Sequence, residues 1–137
     1  MAIRAIVSDQ SEQFGSQVIG TGPEFTVTAF LELPRGSWAA FATAAFACGT
    51  PGTSTFQTGF LLDGDLYSPV VQADFTVAVA GGGFLVVPLT TGLTLEKTQT
   101  LQVGCVAAQP YIIASQPTTI TAIQVDSVTR IRNQGPL

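Results

Sequence analysis

The chain has 137 residues, which is enough for one domain with a hydrophobic core of its own. Hydrophobic residues make up 46% of the sequence and charged residues only 10%, so a disordered chain is excluded and the surface carries few charges. Five basic and nine acidic residues give a net charge of −4, without the cluster of Lys and Arg that binds nucleic acid. We expect part of the uncharged surface to contact another protein chain.

The sequence offers no membrane-spanning segment, because no apolar run approaches the roughly 18 residues that a bilayer requires. The first ten residues, MAIRAIVSDQ, hold one Arg and a short apolar run that Ser8 and Asp9 interrupt. This pattern does not match a secretory signal peptide. We therefore expect a chain that is made in the cytoplasm and has no membrane partner.

Residues 1–24 are expected to form an N-terminal arm with a short first strand near residues 2–7. From residue 25 onward apolar and polar residues alternate with a period of two, which is typical of strands. Turn-forming residues separate the runs at intervals typical of an all-β sandwich. The predicted strands are 25–33, 37–48, 55–62, 70–80, 84–90, 98–107 and 118–126. We interpret residues 25–128 as an antiparallel β-sandwich and residues 129–137 as a C-terminal tail.

The second predicted strand, SWAAFATAAFAC, is unusual because ten of the eleven residues from Trp38 to Cys48 are apolar. Proline and glycine on both sides favour a strand over a helix. One face of this strand carries Trp38 and Phe46 with small residues between them, and the other carries Phe41 and Thr43. An antiparallel strand with water on one side normally alternates. We therefore expect one face to pack in the sandwich and the other in an oligomer interface.

Little in the sequence predicts catalysis. Histidine is absent, which removes the common general base and His-based zinc sites. The Asp63-Gly64-Asp65 stretch could contribute calcium ligands, but it does not fit an EF-hand and is typical of a turn. A carboxylate-based hydrolase would need two acids about 5–10 Å apart in a cleft. We predict a protein that is not an enzyme and binds no cofactor or metal.

Several residues are candidates for contact with other molecules. Tyr67 and Tyr111 stand near loops and, together with Asp63 and Asp65, are the candidate ligand-loop residues. The candidate attachment residues, which would dock on an acidic neighbour, are Arg4, Arg130 and Arg132. We expect Cys48 and Cys105 to be free and buried, with a single disulfide as the alternative.

Four segments carry a resemblance to a known superfamily. They are Leu33-Pro-Arg-Gly-Ser-Trp38, Gly59-Phe-Leu-Leu-Asp-Gly64, the predicted hairpin from Leu89 to Val103, and the closing strand from Ile120 to Val125. Across roughly residues 25–128 the chain resembles the jelly-roll heads of the complement and tumour-necrosis-factor superfamily. The closing aromatic-Gly-aromatic of animal members is missing. The small, His-free, Ala/Thr/Gly-rich chain is more similar to jelly rolls of bacteriophage virions, which serve as capsid decoration or minor tail proteins.

The resemblance implies a homotrimer in which one sheet faces the three-fold axis. The candidate interface residues are Trp38, Phe41, Phe46, Val103 and Ile123. It also implies that strand 37–48 runs antiparallel to strand 98–107, which would keep Cys48 and Cys105 too far apart to bond. An immunoglobulin-like sandwich remains the alternative fold.

From these features we predict a structural component of a bacteriophage virion, a capsid decoration or minor tail protein whose partners are itself and other virion proteins. The alternative is a receptor- or glycan-binding trimeric head domain at a phage tail tip, which would use the ligand-loop residues.

Overall fold

The computed structural model describes residues 5–9, 17–48, 52–65, 69–79, 84–108, 112–114 and 118–129. These residues form ten β-strands, and the described part of the chain contains no helix. In chain order the strands are β1 (Ala5–Asp9), β2 (Gln17–Val18), β3 (Thr26–Leu33), β4 (Gly36–Cys48), β5 (Gly52–Leu62), β6 (Val71–Val79), β7 (Phe84–Leu95), β8 (Gln99–Ala107), β9 (Ile112–Ala114) and β10 (Thr119–Val125).

Sheet A is built around β4, the longest strand. On one side of β4 lies β7, which pairs with it from Gly36 to Ala47. On the other side β10 and β9 follow one another along β4. Strands β1 and β2 pair in turn with β10 and β9. Sheet A is therefore four strand positions wide, although six strands form it.

Sheet B has the order β3-β8-β5-β6. All strand pairs in both sheets are antiparallel, and the pairs are nested along the chain. The first strands pair with the last, β3 with β8, β4 with β7, and β5 with β6. A long hairpin rolled up in this way is the jelly-roll form of the β-sandwich. The prediction of an all-β antiparallel sandwich is confirmed.

The core lies between the two sheets. From β4 it receives Trp38 and Phe46 at the ends and alanines between them. These small side chains leave room for the larger ones of sheet B, which are Leu31, Leu33, Phe56, Phe60 and Leu101. Phe46 and Phe56 connect the sheets directly, with ring centroids 4.9 Å apart and planes tilted by 55°. Of the two faces of strand 37–48, the one that carries Trp38 and Phe46 is thus the face that packs in the sandwich.

The structure corrects two expectations about strand pairing and length. Strand 37–48 does not pair with strand 98–107, because β4 belongs to sheet A and β8 to sheet B. The nested pairing gives β4 the neighbours β7 and β10 instead. Strand β7 also continues to Leu95, five residues beyond the predicted end of strand 84–90, and Gly92 within this extension is paired with Ala39.

The first 24 residues contribute more to the sandwich than an arm with one strand would. Both β1 and the two-residue β2 are strands of sheet A. The sequence did not indicate β2 or the three-residue β9, because two or three residues are too few to show the alternation that is typical of a strand.

Candidate interaction surface

The outer face of sheet A, which points away from sheet B, is the candidate interaction surface. Three of its strands, β4, β7 and β10, contain no charged residue. Phe41 lies at the middle of this face, with Thr90 of β7 on one side and Thr121 of β10 on the other. The outer face therefore offers apolar side chains and threonine hydroxyls to a partner, and no ion pairs from these strands.

Large apolar side chains are exposed on this face. Phe41 is 45% exposed and Val86 of β7 is 51% exposed. Val86 pairs with Ala45, so it lies on the same side of the sheet as Phe41, four residues further along β4. Val18 of β2, which is 70% exposed, extends the face at the far end of β4. Isolated exposed hydrophobic residues are ordinary, but a group on one sheet face, on or beside strands without charged residues, indicates a contact surface.

One end of the outer face is covered by the chain itself. Gly92 of β7 lies on this face opposite Ala39. A Cβ atom at Gly92 would lie 2.7 Å from Cγ1 of Val128, so the Val128 side chain fills the space above the glycine. Val128 follows β10, and β4 lies between β10 and β7. Residues 126–129 therefore cross β4 over the outer face, and we call them the strap.

The five candidate interface residues divide into two groups. Trp38, Phe46 and Val103 are buried between the two sheets. Phe41 and Ile123 lie on the outer face, where Phe41 is exposed and Ile123 is half-buried. Only these last two have side chains positioned to contact another chain directly. The indole Nε1–H of Trp38 donates to the Pro34 carbonyl at 2.9 Å, which satisfies its polar atom inside the core.

The candidate ligand-loop residues lie partly outside the described residues, as Tyr67 and Tyr111 do. Asp63 and Gly64 have φ of 53° and 72°, and Asp65 N–H donates to the Leu62 carbonyl at 3.2 Å, which together form a tight turn after β5. The Asp63 carboxylate accepts hydrogen bonds from Gln99 Nε2 and from Thr100 N–H. These two bonds, with a smaller contribution from Lys97, lower the pKa of Asp63.

The remaining candidates are quickly placed. Arg4, Arg130 and Arg132 lie outside the described residues. Cys105 is a free thiol in the core, and burial raises its pKa far above the usual range. Within the described ranges no three acidic, Cys or His side chains gather in a way that could hold a metal ion. The same ranges hold no helix with the length and apolar character needed to cross a membrane.

Charged residues of the described turns gather at one end of the sandwich. Here β3 passes into β4, β7 ends opposite Gly36, and β10 ends opposite Ser37. The charged residues at this end are Arg35, Asp63, Asp65, Glu96, Lys97 and Asp126. Acidic side chains outnumber basic ones there by four to two. The excess negative charge of these turns is thus separated from the middle of the outer face.

Sequence analysis alone would not have identified Val86 or the strap. Val86 lies in the apolar run FLVVPL, where the sequence does not distinguish inner from outer positions. Gly92 was a signal that could have been used, because a glycine inside a strand often marks the close approach of another segment.

The fold is similar to proteins of solved virus particles. A structure of the infectious bursal disease virus Gx strain matches with a TM-score of 0.54 and 11% identity, covering 93% of this chain and 38% of that chain. The T13 particle of the same virus matches with a TM-score of 0.52 and 10% identity, covering 91% and 36%. Its VP2 subviral particle matches with a TM-score of 0.50 and 11% identity, covering 91% and 38%.

The chain thus spans little more than a third of the length of these virus proteins. No protein-family model matches the chain, and no curated protein matches it in sequence. At this level of identity the likeness is one of fold. The chain has an antiparallel β-sandwich fold shared with proteins of icosahedral virus particles.

Proposed function

We propose that this protein is a non-enzymatic structural component of a virion, which associates with copies of itself and with other virion proteins. The finer form of the proposal is a homotrimer in a bacteriophage particle, as a capsid decoration or minor tail protein. The single observation that carries it is the outer face of β4, β7 and β10, strands that contain no charged residue, with Phe41 and Val86 exposed on it.

The physical basis of this function is burial. Exposed apolar area favours association by about 25 cal/mol per Å² removed from water. Strands β4, β7 and β10 also supply no like charges that would oppose contact between identical copies. A chain with a net charge of −4 needs such a region if it is to pack against itself.

Similarity of fold to virus-particle proteins supports the particle as the place of assembly. The match extends over about nine-tenths of this chain, so the sandwich as a whole resembles them. We therefore place the protein in the virion as our proposal, with self-association as its mechanism and neither nucleic acid nor a membrane as a partner.

The first experiment is the solution mass of the purified protein by light scattering. A mass near three times 14.2 kDa supports the homotrimer. The second is addition of the purified protein to particles that lack it, followed by sedimentation of the particles. Saturable co-sedimentation supports a virion component. A monomer that does not bind particles would contradict the proposal.

A further inference from the structure

We infer that the strap, residues 126–129, is part of the contact between copies, and that a second copy packs beside it over Phe41 and Val86. This inference rests on the self-association proposed above and adds the residues that form the contact. It also assigns the C-terminal side of the chain, rather than the N-terminal side, to the rim of the interface.

The first step is the reason for a glycine in the middle of β7. Glycine weakens a strand interior, and Gly92 does not have the positive φ that would require it. What Gly92 provides is space, because any side chain there would overlap Val128. Gly92 and Val128 are therefore matched, and the strap has a defined seat on the outer face.

The second step is the path of the strap. Val125 ends β10 opposite Ser37 of β4, and Gly92 lies on the far side of β4. The three residues after Val125 must bridge this distance, so they cross β4 instead of leaving at the edge of the sheet. Thr129, which follows Val128 in the strap, is exposed.

The third step concerns what the strap leaves open. Ile123, Ala39 and Gly92 lie side by side on neighbouring strands of the outer face. The strap crosses the face here, with the Val128 side chain packed against Gly92. Beyond this row, Phe41 and, further along the face, Val86 are exposed. A partner can continue the apolar cover that the strap begins.

The fourth step identifies the partner as a second copy. Strand β4 has 13 residues, about 40 Å at ~3.3 Å per residue, and four strand positions are about 19 Å wide. The product, about 750 Å², is close to the ~800 Å² that each partner contributes to a stable protein interface. The acidic turns lie at one end of the sandwich, so a copy can approach the middle of the face without like-charge repulsion.

The test is photo-crosslinking of the full chain with a benzophenone amino acid at one exposed position at a time. The probe positions are Thr129 of the strap and Thr43 of the open face. The matched control is Glu32, which is exposed on the outer face of sheet B. We expect covalent dimers from Thr129 and Thr43 and none from Glu32. Before irradiation, light scattering is used to check that each labelled protein has the same oligomer mass as the unlabelled protein.

A second variant tests the seat of the strap. Gly92→Val fills the space of Val128, so the strap should leave the face and the dimer from the Thr129 probe should be lost. Thr94→Val, a change two residues away on the same face of β7, should retain it. An oligomer whose Thr129 probe reacts only within its own chain would overturn the inference and leave self-association standing. A monomeric unlabelled protein would overturn both.

Discussion

The indole of Trp38 is fully buried and its Nε1–H donates to the Pro34 carbonyl. Trp38→Phe removes this donor, leaves the carbonyl without that bond and leaves part of the indole volume empty. We expect the free energy of unfolding to fall by about 2 kcal/mol. Urea denaturation measures this change, and a loss below about 0.5 kcal/mol would show that the bond and the packing contribute little.

Asp63 gives a prediction about pH. Hydrogen bonds from Gln99 and Thr100 lower its pKa in the folded protein, because they favour the ionised carboxylate. The stabilisation is therefore fully present above the usual Asp pKa of about 3.9 and is lost as the pH falls through the lowered value. Asp63→Asn should lower the melting temperature at neutral pH.

Asparagine is chosen because it tolerates the positive φ of residue 63, so the substitution should not strain the backbone. The difference between Asp63→Asn and the unchanged protein should shrink towards zero in a melting series taken from neutral pH to below pH ~3. A difference that stays constant over this range would mean that the charge of Asp63 has no part in stability.

At the scale of elements, sheet B contains a second small region of burial outside the main core. Gly59 and Gly104 are paired on the outer face of this sheet, and Leu61 and Phe25 are buried over them. A Cβ atom at Gly104 would lie 2.5 Å from Leu61 Cδ1 and 3.0 Å from Phe25 Cβ. The glycine pair thus allows these two side chains to pack closely against β8 and β5.

Gly104→Val should therefore destabilise the protein by about 2 kcal/mol through overpacking. Gly92→Val is the matched control, because the three atoms nearest to its added Cβ all belong to Val128 of the strap. We expect its effect on the free energy of unfolding to stay within about 1 kcal/mol, since valine favours a strand. Equal losses in chemical denaturation of both variants would contradict the distinction between the two sites.

The strands with a clear period of two were predictable from sequence, because alternation reflects which side chains face the core. Periodicity indicates a strand but not its neighbours, and the partner that the superfamily resemblance implied for β4 was wrong. Thr90-Thr-Gly92 has the composition of a turn, and only contact with Val128, distant in sequence, explains a glycine inside β7. Tertiary contacts of this kind are absent from local sequence patterns.

For the molecule as a whole, the location of the contact face is open to a direct test. Phe41→Asp places a charge at the middle of the outer face, where burial against a second copy would be costly. We expect it to convert the oligomer into monomers in sedimentation velocity runs. Phe30→Asp is the matched control on the outer face of sheet B, where Phe30 is 40% exposed compared with 45% for Phe41. An oligomer that tolerates Phe41→Asp but not Phe30→Asp would move the contact to sheet B.

The sequence led us to expect cover on both faces of β4, but it did not indicate which face belongs to the core. Trp38 and Phe46 are large and apolar, as Phe41 is, so all three were interface candidates. Trp38 and Phe46 point to one face of β4 and Phe41 points to the other, because side chains alternate along a strand. Which of these faces packs against sheet B depends on how all the strands of the chain pair. These residues could therefore be assigned to the inner or the outer face only from the arrangement of both sheets.

The nested pairing has a consequence for how this protein is made. Strand β10 lies between β1 and β4 in sheet A, so the last strand of the described chain is an interior strand of that sheet. During synthesis β1 and β4 leave the ribosome well before the strand that joins them. Sheet A cannot close until translation has passed residue 125, and contacts this distant in sequence form slowly. Until then, the edge of the apolar strand β4 that will pair with β10 is unpaired. The protein is therefore most prone to misassembly during synthesis, because an unpaired apolar strand can pair with the wrong chain.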